Sequence, residues 1–211
     1  MPRNRFDRPS LKTLGIRSSL LAIALIAGTA LAGPQVGQPA PDFEGLDSTG
    51  QSWSLADLRG KPVILEWTNH DCPFVVKHYQ TGNMQALQRE AAEAGYIWLS
   101  VISSAPGQQG HVSPAEADAL TQSRDAAPAA VLLDEAGTIG RAYNARTTPH
   151  MFIIDADGIL VYQGAIDDRP TSDHADVAGA ENFVRLAMAD LAAERPVTQP
   201  VTRPYGCSVK Y

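Results

Sequence analysis

Cysteine is scarce in this chain: Cys72 and Cys207 are the only two, and they stand far apart. Val75 occupies the position three after Cys72, so a local C-x-x-C dithiol is excluded. No cysteine follows the N-terminal apolar run closely enough for a lipoprotein anchor, and no Arg-Arg pair precedes it to suggest twin-arginine export. That run, Leu20 to Ala32, has only thirteen residues and is too short to span a bilayer comfortably. Basic residues are outnumbered, with 17 Lys and Arg against 23 Asp and Glu. An acidic chain is a poor partner for nucleic acid or anionic lipid. Internal repeats and low-complexity tracts are absent.

What is present begins with a targeting segment. Arg3, Arg5, Arg8, Lys12 and Arg17 stand against the single acid Asp7, and the apolar run after them ends in Ala30-Leu31-Ala32. A basic stretch, a short apolar stretch and an Ala-x-Ala end describe a secretory signal peptide over residues 1–32. The alternative is an uncleaved N-terminal anchor. Cleavage after Ala32 would move the formal charge from −6 to −10 and leave residues 33–211, enough for one domain with a sizeable core. The expected destination is a bacterial periplasm, with no stable membrane insertion after cleavage. In such an oxidising compartment two cysteines can form one disulfide.

The rest reads as alternating strands and helices. Val63–Leu65, Tyr96–Ile102 and Ala130–Leu133 are short apolar or β-branched runs of strand type, and Gln51–Ser54 reads as a short strand after the Asp47–Gly50 turn. A helix opens at Pro73, breaks near Gly82-Asn83 and resumes from Met84 to about Ala94. Ser113-Pro114-Ala115-Glu116 is a capping box that starts a helix to about Arg124. Asp134 caps a helix running to about Tyr143. Met151–Ile154 and Ile159–Tyr162 flank Asp155-Ala156-Asp157-Gly158, a hairpin signal, and Glu181–Ala193 has the spacing of a final packing helix. Gly33–Pro41 reads as a flexible start. Together these predict one α/β domain over residues 33–194, a sheet with helices on both faces, followed by a polar, Pro-rich tail over 195–211 that carries Cys207.

The most informative stretch is Val63-Ile64-Leu65-Glu66-Trp67-Thr68-Asn69-His70-Asp71-Cys72-Pro73-Phe74. It places a cysteine between a buried strand and a helix, with Pro73 at the first helical position. Cys72 is then the N-cap, beside free backbone N–H groups and the positive end of the helix dipole. That setting lowers a thiol's pKa and makes it a nucleophile near neutral pH.

This segment resembles the active-site loop of the thioredoxin superfamily, in its redoxin (peroxiredoxin-like, AhpC/TSA) branch. Three other stretches agree with it in order and spacing: Gln38-Pro39-Ala40-Pro41-Asp42-Phe43, Ser54–Pro62 and Thr147-Thr148-Pro149-His150-Met151-Phe152-Ile153-Ile154-Asp155. The similarity spans roughly residues 36 to 165. It implies a thioredoxin-like fold with a central mixed β-sheet. It also implies a cis-Pro149 that presents the Thr148 backbone to a substrate beside Cys72. Ordinary dithiol exchange is put in doubt by Val75, so the resemblance points instead to attack by one cysteine and resolution by a distant one or an external thiol. The peroxiredoxin pattern is also incomplete: Asn69 holds the position three before Cys72, where a Thr or Ser belongs, Thr68 stands one further back, and the upstream proline is missing.

The expected reaction is thiol-based reduction of a hydroperoxide or a protein disulfide, with an external thiol as reductant and without a cofactor or metal. Cys72 is the nucleophile. Cys207, in Tyr205-Gly206-Cys207-Ser208, is a resolving thiol, half of a permanent disulfide, or a free tail thiol. Trp67, Thr68, Asn69, Arg146, Thr148, Pro149 and His150 are the candidates for substrate contact. The alternative is a binding module of the same fold, redox-inactive or copper-binding. His70 and His150 could meet across the site and join Cys72 as metal ligands. Copper-delivery proteins of this fold use a C-x-x-x-C pair, however, and Val76 stands four after Cys72. Lys77 and His78 read as surface or packing residues.

Overall fold

The computed structural model describes Met1 and residues 33–211; the targeting segment lies outside the described residues except for Met1. Gly33–Tyr211 form one compact unit. In chain order the strands and helices are β1 (Glu44–Leu46), β2 (Ser52–Ser54), β3 (Val63–Trp67), α1 (Pro73–Gln80), α2 (Asn83–Glu93), β4 (Ile97–Ile102), α3 (Pro114–Ser123), β5 (Ala130–Leu133), α4 (Thr138–Ala142), β6 (Thr147–Thr148), β7 (His150–Ile154), β8 (Leu160–Gly164), α5 (Phe183–Ala192) and β9 (Cys207–Ser208). The main sheet has five strands in the order β5-β4-β3-β7-β8. β3, β4 and β5 run parallel, whereas β7 and β8 run antiparallel to their neighbours. This is the mixed α/β sheet that the sequence implied.

Strand alternation sorts the core into two sides. Val63, Leu65 and Trp67 pack with Tyr143, Phe152 and Ile154, whereas Ile64 packs with Cys72, Met84, Leu87, Val184 and Ala187. Helices α1, α2 and α5 therefore cover one face, and α4 lies on the other. All five residues of β3 are buried. The strand runs two residues past the apolar stretch that suggested it, through Glu66 and Trp67. A fully buried parallel strand is normally apolar throughout, and Glu66, its one charged residue, is held by donors from β4, α2 and α1.

Turn chemistry sets several boundaries. The break between α1 and α2 falls at Gly82, whose φ of +74° suits glycine. Ser113 and Glu116 form the expected capping box, with the Ser113 N–H donating to the Glu116 carboxylate at 2.7 Å. α4 is shorter than expected, because Asp134 is not its N-cap. Gly137 holds that position, and the buried Asp134 carboxylate instead accepts from the Ile139 and Gly140 N–H groups. The N-terminal stretch is not loose either. Gly37 N–H donates to Leu160 at 2.8 Å and Ala40 N–H to Gly158 at 3.0 Å, tying it to the β7–β8 hairpin.

The C-terminal residues are tied down in the same way. Thr202 N–H donates to the Gln163 carbonyl at 3.1 Å, and its hydroxyl accepts from Ala165 N–H at 2.9 Å. The chain then turns at Gly206 and pairs β9 with β6 in antiparallel register, Cys207 opposite Thr148. A side chain at Gly206 would collide with the Thr148 carbonyl oxygen, so only glycine lets the two backbones approach this closely.

Candidate active site

Cys72 is the N-cap of α1, with φ −76° and ψ 120° and Pro73 following it. Its position is fixed from both sides. Its N–H donates to the Asn69 carbonyl at 3.1 Å, and its own carbonyl accepts from Val75 and Val76, each at 2.9 Å. Asn69 shapes the preceding loop: its Oδ1 accepts from Asp71 N–H at 2.9 Å and its Nδ2 donates to the Gln109 carbonyl at 3.2 Å. Its amide thus shapes the loop through one N–H and the carbonyl oxygen.

The Thr148–Pro149 peptide is cis, and the Cys72 Sγ lies 3.1 Å from the Thr148 carbonyl oxygen, to which the thiol donates. Register then brings the second thiol to the same spot, because Cys207 pairs with Thr148. The structure holds both cysteines as free thiols, Cys72 fully buried and Cys207 half-buried. Burial by itself would raise the Cys72 pKa. Donors outweigh it: the Cys207 thiol, the Thr148 hydroxyl, and the Cys207 and Val75 N–H groups all favour the thiolate, so the pKa falls below the ordinary thiol value. The Thr148 hydroxyl has no other partner among the described residues, which leaves it free to donate to the charged sulfur. Cys207 is pushed the opposite way, up to about 11, by burial and then by Cys72 itself. The pair is polarised: Cys72 is the more acidic of the two thiols and Cys207 the less acidic.

Several expected contacts lie elsewhere. Trp67 faces the opposite core, fully buried, with its Nε1 donating to Ser103 Oγ at 2.9 Å and its ring 5.5 Å from that of Tyr143. It cannot touch a substrate at Cys72. His150 shares that face. Its ring stacks 4.4 Å from Phe152, its Nδ1 accepts from Arg146 N–H at 3.3 Å, and burial, with the Arg146 charge, pushes its pKa down to about 3. His70 lies on another wall, lining a cavity of about 30 Å³ with Thr68, Tyr79 and Arg124. The two histidines therefore do not meet. Among the described residues no cluster of three His, Cys, Asp or Glu side chains could hold a metal ion. Thr68 Oγ1 has no partner among the described residues, but the cavity it lines does not include Cys72.

Four residues that matter were not found from the sequence. Lys77 and His78 are fully buried rather than on the surface. With Asp167 and Tyr205 they form a polar socket beside Cys72. The Tyr205 hydroxyl donates to the Asp167 carboxylate and accepts from His78 Nε2 at 3.2 Å, while Lys77 Nζ donates to the Arg169 carbonyl at 2.9 Å. Asn83 Nδ2 lies 2.9 Å from His78 Nδ1, which must then accept, so His78 is neutral with its proton on Nε2. Burial, with the Lys77 charge, pushes its pKa down to about 3. Burial also lowers Lys77 and raises Asp167, and it raises the Tyr205 hydroxyl, with Asp167 adding to that. Tyr205 packs edge-on to Phe74 at 5.9 Å, so the residue two before Cys207 is anchored to the helix that Cys72 begins. A hydrogen bond to a charged group contributes about 1.5–3 kcal/mol. Tyr205→Phe should therefore raise the open-tail population by roughly 10- to 100-fold, read as faster alkylation of Cys72 by iodoacetamide. An unchanged rate would mean that the socket does not hold the tail.

A mixed sheet, a cysteine at a helix N-terminus and a cis-proline strand facing it define a thioredoxin-like protein. Residues 36–163 match the AhpC/TSA family, and the chain belongs to that family. Among solved structures it is similar to an uncharacterized conserved protein from Geobacillus kaustophilus, with a TM-score of 0.71 and 25% identity over 84% of this chain and 92% of that one. A hypothetical protein from Sinorhizobium meliloti gives a TM-score of 0.68 and 23% identity over 85% of this chain and 96% of that one. A candidate protein disulfide isomerase from Bacteroides thetaiotaomicron shares the fold at a TM-score of 0.52 and 19% identity, covering 79% and 92% of the two chains. No curated protein matches the chain.

Proposed function

We propose that the protein is an exported, periplasmic thiol oxidoreductase that reduces a hydroperoxide or a protein disulfide, with Cys72 as nucleophile and Cys207 as resolving thiol. The observation that carries this reading is the pairing of Cys207 with Thr148, which brings a protonated thiol against the buried, acidified sulfur of Cys72. With a peroxide, the Cys72 thiolate attacks one oxygen, the O–O bond breaks, and an alcohol or water leaves with a proton from solvent. Cys207 then attacks the sulfenic sulfur, an S–S bond forms, and water leaves. With a disulfide, Cys72 displaces one substrate thiolate and Cys207 the other. An external thiol reductant then reduces the disulfide and restores both thiols, without a cofactor.

The test is to oxidise the reduced protein with one equivalent of hydrogen peroxide or of a peptide disulfide, and to map the thiols by mass spectrometry. Wild type should end as a Cys72–Cys207 disulfide. Cys207→Ser should stop at a sulfenic acid, or a mixed disulfide, on Cys72. Which oxidant reacts faster names the substrate class. Cys72 inert to both oxidants would overturn the reading.

A further inference from the structure

Arg146 and Arg203 are the two described arginines whose side chains make neither an ion pair nor a hydrogen bond with another described residue. Every other described arginine is engaged, for example Arg185 with Glu90 at 2.6 Å, Arg195 with Asp190 at 2.7 Å and Arg124 with the His70 carbonyl at 3.1 Å. The two unengaged ones line a single open cavity of about 420 Å³. Asn144, His150 and Gln163 are among its other walls, and among the described residues no carboxylate lines it. In a chain of 23 acids and 17 bases, two unengaged arginines lining one cavity with no described acid need a physical reason.

His150 supplies a second, independent pointer. It is only 6% exposed and lines the same cavity. Its Nδ1 accepts from the Arg146 N–H, which leaves Nε2 as the protonated nitrogen, and Nε2 has no partner among the described residues. The cavity thus combines two planar cations with a nearly buried neutral donor, the donor set that fits an oxyanion. Its volume is within the range of small-molecule sites and exceeds what one inorganic ion fills.

We infer that this cavity binds a compact organic dianion, carrying carboxylate or phosphate oxygens, clamped between Arg146 of the domain and Arg203 of the C-terminal segment. The two arginines come from different parts of the chain. Arg146 precedes β6, and Arg203 lies four residues before Cys207. The ligand therefore recognises the docked tail and not the open one. Binding only one of two states stabilises it by mass action, so occupancy holds Cys207 over Cys72. No covalent step takes place in the cavity, because His150 packs on the sheet face of Phe152 and Trp67, away from Cys72.

The test is isothermal titration of the reduced full chain with succinate and, separately, with inorganic phosphate, at constant ionic strength set by chloride. A saturable 1:1 heat with either dianion, weakened tenfold or more in Arg203→Ala and in Arg146→Ala, supports the site. Preference between the two probes names the oxyanion type. No saturable heat with either probe, or affinity unchanged in Arg203→Ala, overturns it. A second measurement reads the coupling. At ten times the measured Kd the better probe should slow Cys72 alkylation roughly tenfold in wild type and not at all in Arg203→Ala. Binding without any slowing would overturn the clamp. The titration needs no turnover, so it stands or falls separately from the proposed redox activity.

Discussion

Replacing Cys72 by serine is expected to remove the reaction with peroxide or disulfide, by roughly three orders of magnitude or more, as losing a nucleophile does elsewhere. Cys207 cannot take over. Burial, the largest cause of its raised pKa, persists without Cys72, so little of it is thiolate at pH 7, and it lacks the helix N-terminus that Cys72 occupies. The pH profile of the wild type carries the same argument. Cys72 is pulled below the ordinary thiol value, so its thiolate forms at lower pH than a free cysteine's. The alkylation rate should be flat above that pKa and fall tenfold per unit below it. In Cys207→Ala the neighbouring donor is removed, and the inflection should move upward. A Cys72 profile centred at the ordinary thiol value in both proteins would mean that the hydrogen bonds around the sulfur do not tune it. Stopped-flow kinetics from pH 5 to 10 would read this directly.

The sequence showed the fold far better than it showed the site's supports. Strand runs, the capping box, the Gly82 break and the Asp155–Gly158 hairpin are local signals, and each appears close to where it was expected. Cys72 was legible for the same reason, since strand, cysteine and proline adjoin in the chain. The socket was not. Lys77 and His78 follow Cys72 closely and read only as surface or packing residues because their buried partners, Asp167 and Tyr205, are 89 or more residues away in sequence. The Arg146–Arg203 cavity was illegible on the same ground. Trp67 was misplaced by its position next to Thr68: a one-residue step along a strand reverses the face. Only the strand's extension past Leu65 fixes that alternation.

Glu66 is the position where substitution should cost most stability. It sits within β3 with no exposure and no cation in ion-pair range among the described residues. Its Oε2 accepts from Trp98 Nε1 at 3.0 Å, Ser100 Oγ at 2.9 Å and Gln88 Nε2 at 3.3 Å, and its Oε1 accepts from the Tyr79 hydroxyl at 2.9 Å. Donors from β4, α2 and α1 thus converge on one carboxyl group, which explains a polar residue in an otherwise apolar strand. Glu66→Ala strands these donors away from water and leaves a cavity. At about 1–3 kcal/mol for each unsatisfied group, the total is several kcal/mol, a large share of a typical stability of about 5–15 kcal/mol. Glu66→Gln separates the polar role from a simple filling of space. Its carbonyl oxygen can take the Oε2 place and keep the Trp98, Ser100 and Gln88 donors. Its NH2 group then faces only the Tyr79 hydroxyl, which can turn and accept. The cost should be about 1 kcal/mol. Urea unfolding of the two variants decides: equal losses would mean that packing alone matters here. Because Tyr79 belongs to α1, the helix that Cys72 begins, loosening this bond in Glu66→Ala should also broaden the geometry around the sulfur. That variant should then show a weaker acidification of Cys72, while Glu66→Gln keeps the wild-type profile.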